Sequence, residues 1–75
     1  MRHLKEPGAV RLTVNGEARN LDGVLDIAGL IAVLGLDSRK VAVEHNLAIV
    51  PRSAYGLTRV ADGDRIEIVH FIGGG

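Results

Sequence analysis

The 75 residues contain no cysteine and no tryptophan, one tyrosine, one phenylalanine and two prolines, and nine basic side chains balance nine acidic ones. Without cysteine the chain supplies no thiol nucleophile, persulfide, disulfide or thiolate-ligated zinc, so any sulfur it handles is carried on another functional group. Without a basic excess it lacks the clustered cations that phosphate backbones require, and its seven arginines and two lysines are scattered among the acids. No nucleic-acid partner is expected. The most apolar stretch, residues 24–36, includes Asp26 and falls short of the roughly 20 residues that span a bilayer. The start of the chain also lacks the basic region and apolar run of a secretory leader. A single soluble, cytoplasmic domain with no membrane partner is therefore expected. At this length a folded chain buries only about 60% of the surface its unfolded form exposes, so one small core is the ceiling.

What is present is aliphatic and patterned. Residues 1–8 are polar, show no periodicity and end in Pro7-Gly8, which predicts a flexible lead-in. From Ala9 onward Val10, Leu12 and Val14 alternate with Arg11 and Thr13, the period-two signature of a half-buried strand. Asn15-Gly16 follows, and both residues tolerate the positive φ of a type I′ hairpin turn. The returning strand, residues 17–21, is expected to turn Ala18 and Leu21 inward. Asp22 is a candidate helix N-cap, because Val24, Ile27, Ile31 and Leu34, with Leu30 alongside, then fall at helical spacing. Gly35 is the expected stop, with Leu36 folding back on the last turn. Gly29, Ala32 and Val33 leave the outer face of this helix with little charge, which suits either an ordinary exposed face or a self-association surface.

Residues 41–44 read as a third strand and residues 47–50 as its short partner, joined near Asn46 and ended by Pro51, which cannot donate to a sheet. One tight helical turn is expected at residues 51–55, then a segment, residues 57–60, leading toward the sheet. Asp62-Gly63-Asp64 turns the chain into a last strand, residues 66–72, with Ile66 and Ile68 inward and Glu67, Val69 and Phe71 outward. This order predicts an α+β fold of the β-grasp type: a mixed sheet of four to five strands packed on one helix, in the order ββαββ(β). The first and last strands would be parallel neighbours at its centre. The domain would span residues 9–72, followed by a flexible glycine tail, residues 73–75.

The pattern along the chain by itself supports no Ser/His/Asp or paired-carboxylate arrangement. His3, His45 and His70 lack metal-ligand spacing and read as structural or solvent-facing, and Ser38 and Ser53 read as turn residues. No metal site is expected. The glycine run remains. Gly73, Gly74 and Gly75 cost more backbone entropy to order than any other tripeptide and bury no side chain, so stability does not explain them. A tail without Cβ atoms can thread a tunnel closed to bulkier chains, and the terminal carboxylate of Gly75 is ionised at neutral pH. It is a poor acyl donor until activated, as by transfer to the α-phosphorus of a nucleotide, after which sulfur or an amine can displace the nucleotide. Val69 and Phe71, facing outward just before the tail, form a candidate docking patch.

These residues resemble a known family. VAVEHN at residues 41–46, IVPRSAY at 49–55, DGDRIEIVHFIGGG at 62–75 and the opening VRLTVNGEARNL at 10–21 together resemble the ThiS-type sulfur carriers of thiamine thiazole synthesis, which are β-grasp proteins. The likeness covers residues 10–75. A terminal Gly-Gly is shared with ubiquitin-like modifiers and molybdopterin-type carriers, and the combination of IVPRSAY with DGDRIEIVHFIGGG is narrower. The resemblance implies that Gly75 is adenylated and converted to a thiocarboxylate, that Gly74 lets the tail enter an active site, and that Phe71 and Ile72 lie at its base. It implies as partners a ubiquitin-activating-like adenylating enzyme, a sulfur donor such as a cysteine desulfurase, and a thiazole synthase. ATP and magnesium would be bound by the activating partner, and no cofactor by this chain, which would be a protein cosubstrate and not an enzyme. The family commonly has Asn-Gly where this chain has Asn46-Leu47, and leucine at positive φ costs about 1 kcal/mol or more. A protein modifier joined to lysines, a molybdenum-cofactor carrier and a non-catalytic adaptor remain open.

Overall fold

The alternation at the start of the chain forms β1 (Ala9–Val14), and Asn15-Gly16 reverses it into β2 (Glu17–Asp22). The structure, a computed structural model, describes residues 8–71. Asn15 and Gly16 both sit at positive φ, 52° and 83°, as a two-residue type I′ loop demands. Val10, Leu12 and Val14 are buried on one face while Arg11 is exposed on the other. Ala18 is not inward as expected: it is exposed, because a two-residue loop pairs it with Thr13, whose side chain points to the outer face. Leu21, opposite Val10, does reach the core.

The helix is shorter than its apolar spacing suggests. It runs Ile27–Val33 as α1, and its N-cap is Asp26, not Asp22. Asp22 is the last residue of β2, and Gly23 at φ 73° separates it from the helix. The Asp26 carboxylate accepts from Gly29 N–H at 2.8 Å, which satisfies one of the donors a helix start leaves without partners. Two others are met by the chain that follows the second hairpin: Ile27 N–H donates to Thr58 O and Ala28 N–H to Tyr55 O. That segment was expected to lead to the sheet. On the way, residues 59 and 60 pair with the approach to α1, through Asp26 opposite Arg59 and Val60 N–H donating to Leu25 O. Gly35 ends α1 as expected, at φ 75°, with Gly35 N–H on Ala32 O and Leu36 N–H on Ile31 O, the two bonds of a Schellman closure. Ala28, Ala32 and Val33 form its exposed face.

After a single 3₁₀ turn at Ser38–Lys40 come β3 (Val41–His45) and β4 (Ala48–Val50), a 3₁₀ turn at Arg52–Ala54, and β5 (Arg65–His70). The sheet order is β2-β1-β5-β3-β4. β5 is parallel to β1 and antiparallel to β3, so the expected β-grasp arrangement, with first and last strands adjacent at the centre, is present. The inner face of the sheet packs Val43, Ile66 and Ile68 against Ile27, Leu30 and Ile31 of the helix, and Tyr55 closes the core with its hydroxyl donating to Val41 O at 3.3 Å. No helix of the described residues is long and apolar enough to cross a membrane. The lead-in up to Pro7, and Ile72 with the three terminal glycines, lie outside the described residues.

The Asn46-Leu47 loop takes the same form as Asn15-Gly16, with both residues at positive φ, 51° and 74°. Leucine here carries the left-handed strain without burial to offset it, since it is 71% exposed. Leu47→Gly is expected to raise stability by roughly 0.5–1 kcal/mol, the relief of strain exceeding the entropy a glycine adds to the unfolded chain. Chemical denaturation of the two proteins, compared at equal slope, measures it.

Candidate functional site

The chemistry expected of this chain depends on where β5 ends, so the strand's attachments matter first. Two asparagines, one from each hairpin loop, hold it from opposite sides. Asn46 donates its backbone N–H to Arg65 O and accepts Arg65 N–H on its side-chain Oδ1, both at 2.8 Å. Asn15 donates its backbone N–H to Ile66 O at 2.8 Å, and its side-chain amide then faces Ile68: Oδ1 accepts Ile68 N–H at 2.7 Å and Nδ2 donates to Ile68 O at 3.1 Å. The left-handed backbone that the turn requires also aims each side chain at β5. Past β5, Phe71 N–H donates to Lys40 O at 2.7 Å. The last described residue is thus still tied to the β3 side of the sheet.

On the outer face of this strand Val69 is 61% and Phe71 52% exposed, as the alternation predicts. Val69 lies opposite Ala42 of β3, and Glu67 opposite Glu44, which in turn pairs with Ile49 of β4, itself exposed. An apolar pair rimmed by carboxylates therefore stands at the point where the chain leaves the sheet. Ile72, Gly73, Gly74 and Gly75 follow in sequence, outside the described residues.

The opposite end of β5 holds a polar cluster. His45 Nε2 lies 2.7 Å from Asp64 Oδ2, Asn46 Nδ2 donates to Asp64 Oδ1 at 3.1 Å, and Ala61 N–H donates to Oδ2 at 2.8 Å. Burial acts to raise the Asp64 carboxyl, but the hydrogen bonds from His45, Asn46 and Ala61 outweigh it and hold the group below its usual range. This cluster joins the second hairpin to the turn before β5 and is a structural clasp at the far end of the strand from the apolar pair. His70 is exposed on β5, and among the described residues no hydrogen bond links Ser38 or Ser53 to a histidine or carboxylate. No group of three or more metal-ligating side chains occurs among them either. His3 lies outside the described residues. The double role of the two asparagines was not legible beforehand. Their occurrence at the first position of both two-residue loops is the one signal that pointed toward it.

The family model described as ThiS family matches residues 12–75. The chain belongs to the ThiS family. The sulfur carrier protein ThiS of Bacillus subtilis is 43% identical over 49 residues, covering 65% of this chain and 74% of its own. The crystal structure of the thiamine biosynthesis protein ThiS from Geobacter metallireducens superposes with a TM-score of 0.75 at 38% identity, over 88% of this chain and all of that one. A thiazole synthase of Paramagnetospirillum magneticum is 54% identical over 66 residues, covering 88% of this chain. The match takes in only 20% of that enzyme, and the same share of a thiazole synthase from Magnetococcus marinus. This ThiS-family chain thus spans about a fifth of the length of those two relatives.

The clasp has a pH consequence. Asp64 is held below the value of a free carboxyl, so its contribution is complete above the unfolded-state range near pH 4 and is lost as pH falls through and below that range. Melting temperatures of this ThiS-family protein should therefore drop on acidification below about pH 4. Asp64→Asn, which has no proton to take up, should melt lower at neutral pH and lose less on acidification.

Proposed function

We propose that the chain is a sulfur carrier of thiamine biosynthesis, acting as a protein cosubstrate and not as a catalyst. The reading rests chiefly on one observation: a centrally clamped strand ends beside an exposed apolar pair, Val69 and Phe71, and only Ile72 separates that pair in sequence from the run Gly73-Gly74-Gly75. The names of the Bacillus subtilis and Geobacter metallireducens relatives support the pathway. The two thiazole synthases that contain a segment similar to this chain support such an enzyme as acceptor of the sulfur, since covalent union places the two in one complex.

In this mechanism the Gly75 carboxylate attacks the α-phosphorus of ATP in a partner related to ubiquitin-activating enzymes. The bond from that phosphorus to the bridging oxygen breaks, and pyrophosphate leaves with the electron pair. The terminal sulfur of a persulfide on a donor such as a cysteine desulfurase then attacks the acyl carbon and AMP departs; a thiol, acting as the two-electron reductant, cleaves the resulting acyl disulfide, which leaves the thiocarboxylate on Gly75 and a disulfide on the donor. ATP and magnesium belong to the partner's site. What this chain contributes is presentation: Val69, Phe71 and Ile72 dock, and glycines without Cβ atoms reach an active site that excludes bulkier residues.

Incubation with the adenylating enzyme, ATP and a sulfur donor should yield an intact mass in which one oxygen is replaced by sulfur. Removal of Gly75 should abolish it, and its absence from the intact protein overturns the reading. High-mass conjugates on lysines would mark a modifier instead. Gly75→Ala is expected to slow adenylation by roughly 10²-fold, because a displacement of about an ångström at the reacting group has that effect. Phe71→Asp should leave melting nearly unchanged, since Phe71 is half exposed, yet weaken binding of the adenylating enzyme by about 2 kcal/mol, the loss typical of a buried aromatic anchor. Calorimetric titration measures it.

A further inference from the structure

The two flanks of β5 are not held equally. On the β3 side the strand pairs through five residues, from His45 opposite Ile66 to Val41 opposite His70, and Phe71 N–H extends the contact to Lys40. On the β1 side the backbone register comprises two pairs, Thr13 opposite Arg65 and Val14 opposite Ile66, before β1 turns away at Asn15-Gly16. The alternation of β5 points the N–H and C=O of residues 66, 68 and 70 toward β1. Beyond Ile66 the next such pair, that of Ile68, is met entirely by the Asn15 side chain, acceptor at 2.7 Å and donor at 3.1 Å. An amide side chain has the same donor and acceptor set as a peptide unit. Asn15 therefore stands in for the residue β1 would need to continue, and it carries the central pairing to within three residues of Phe71.

We infer that Asn15 is a positioning residue for the tail: its side chain fixes the direction in which β5 leaves the sheet, and so holds Val69 and Phe71 ready for the activating partner. The inference rests on the carrier reading and adds to it a residue far from Gly75 in sequence. The free strand end is held on both flanks while Asn15 is present and on one flank when it is absent. Docking of a loosened end carries the entropy of ordering it, which appears in KM and not in kcat.

Asn15→Gly is the informative variant, because glycine keeps the positive φ of the turn and removes both side-chain bonds. Asn15→Asp retains an acceptor for Ile68 N–H and loses the donor to Ile68 O, so it should fall between. In the free protein, amide hydrogen exchange at Ile68 should quicken by about tenfold or more in Asn15→Gly, with Val43 in the core unchanged. In adenylation by the cognate activating enzyme, measured as ATP–pyrophosphate exchange well below the melting temperature, KM for the carrier should rise roughly three- to tenfold with kcat unchanged, the range expected for immobilising one or two extra groups. A role confined to stability lowers the melting temperature and leaves KM as it was, and that result overturns the inference. So does unaltered exchange at Ile68. If the unsubstituted chain is itself not adenylated, the carrier reading fails first, which separates the two.

Discussion

Everything in this domain depends on one long-range pairing, the parallel contact of β1 with β5. It joins residues about fifty positions apart: Arg11 N–H donates to Asp62 Oδ1, Gly63 N–H to Arg11 O and Thr13 N–H to Asp64 O before the regular pairs begin. The loop so closed contains the helix, the second hairpin and both 3₁₀ turns. Its closure entropy is met only once the intervening elements bury Ile27, Leu30, Ile31 and Val43 against Ile66. A chain this small has no second core to fall back on. The pairing begins and ends on side chains, Asp62 at one end and Asn15 at the other, because the two strands overlap too briefly for the backbone alone to finish the ladder.

That constraint also bears on the carrier reading proposed above. On that reading the chain terminus has to leave the scaffold at a defined place, and a central strand is the part of a sheet least free to shift, being held by neighbours on both sides. β5 has its polar clasp at the start, His45, Asp64 and Asn46, and its apolar pair at the end. The clasp fixes register, since a slip of one residue would turn Val69 and Phe71 into the core and Ile66 and Ile68 out of it. One strand thus carries a hydrogen-bonded clasp at its start and an exposed apolar pair at its end.

Much of the fold was legible because its signals are local. Asn15-Gly16, the alternation of Val10, Leu12 and Val14, Gly35 as a helix stop and the outward direction of Val69 and Phe71 each follow from backbone sterics or strand period. The misreadings arose where local preference met tertiary demand. Asp22 and Asp26 are equally good caps in isolation. Asp26 is the cap because Thr58 and Tyr55 supply acceptors at that turn, and no local pattern shows them. Ala18 reads as inward by its apolar character and is outward by the register of its hairpin. Leu47 adopts a left-handed conformation its own propensity disfavours, because the two-residue loop between His45 and Ala48 leaves no other path.

By itself the sequence determined the strand period, the turn residues, the absence of cysteine and of a basic excess, and the glycine run after an apolar strand. These are properties of adjacent residues and need no partner in space. Tertiary structure alone decided which aspartate caps the helix, that His45 and Asp64 form a clasp, and that the amide of Asn15 completes the pairing of Ile68. Each joins groups separated by many positions whose side chains meet only after the sheet has closed, and no spacing rule along the chain encodes such a meeting.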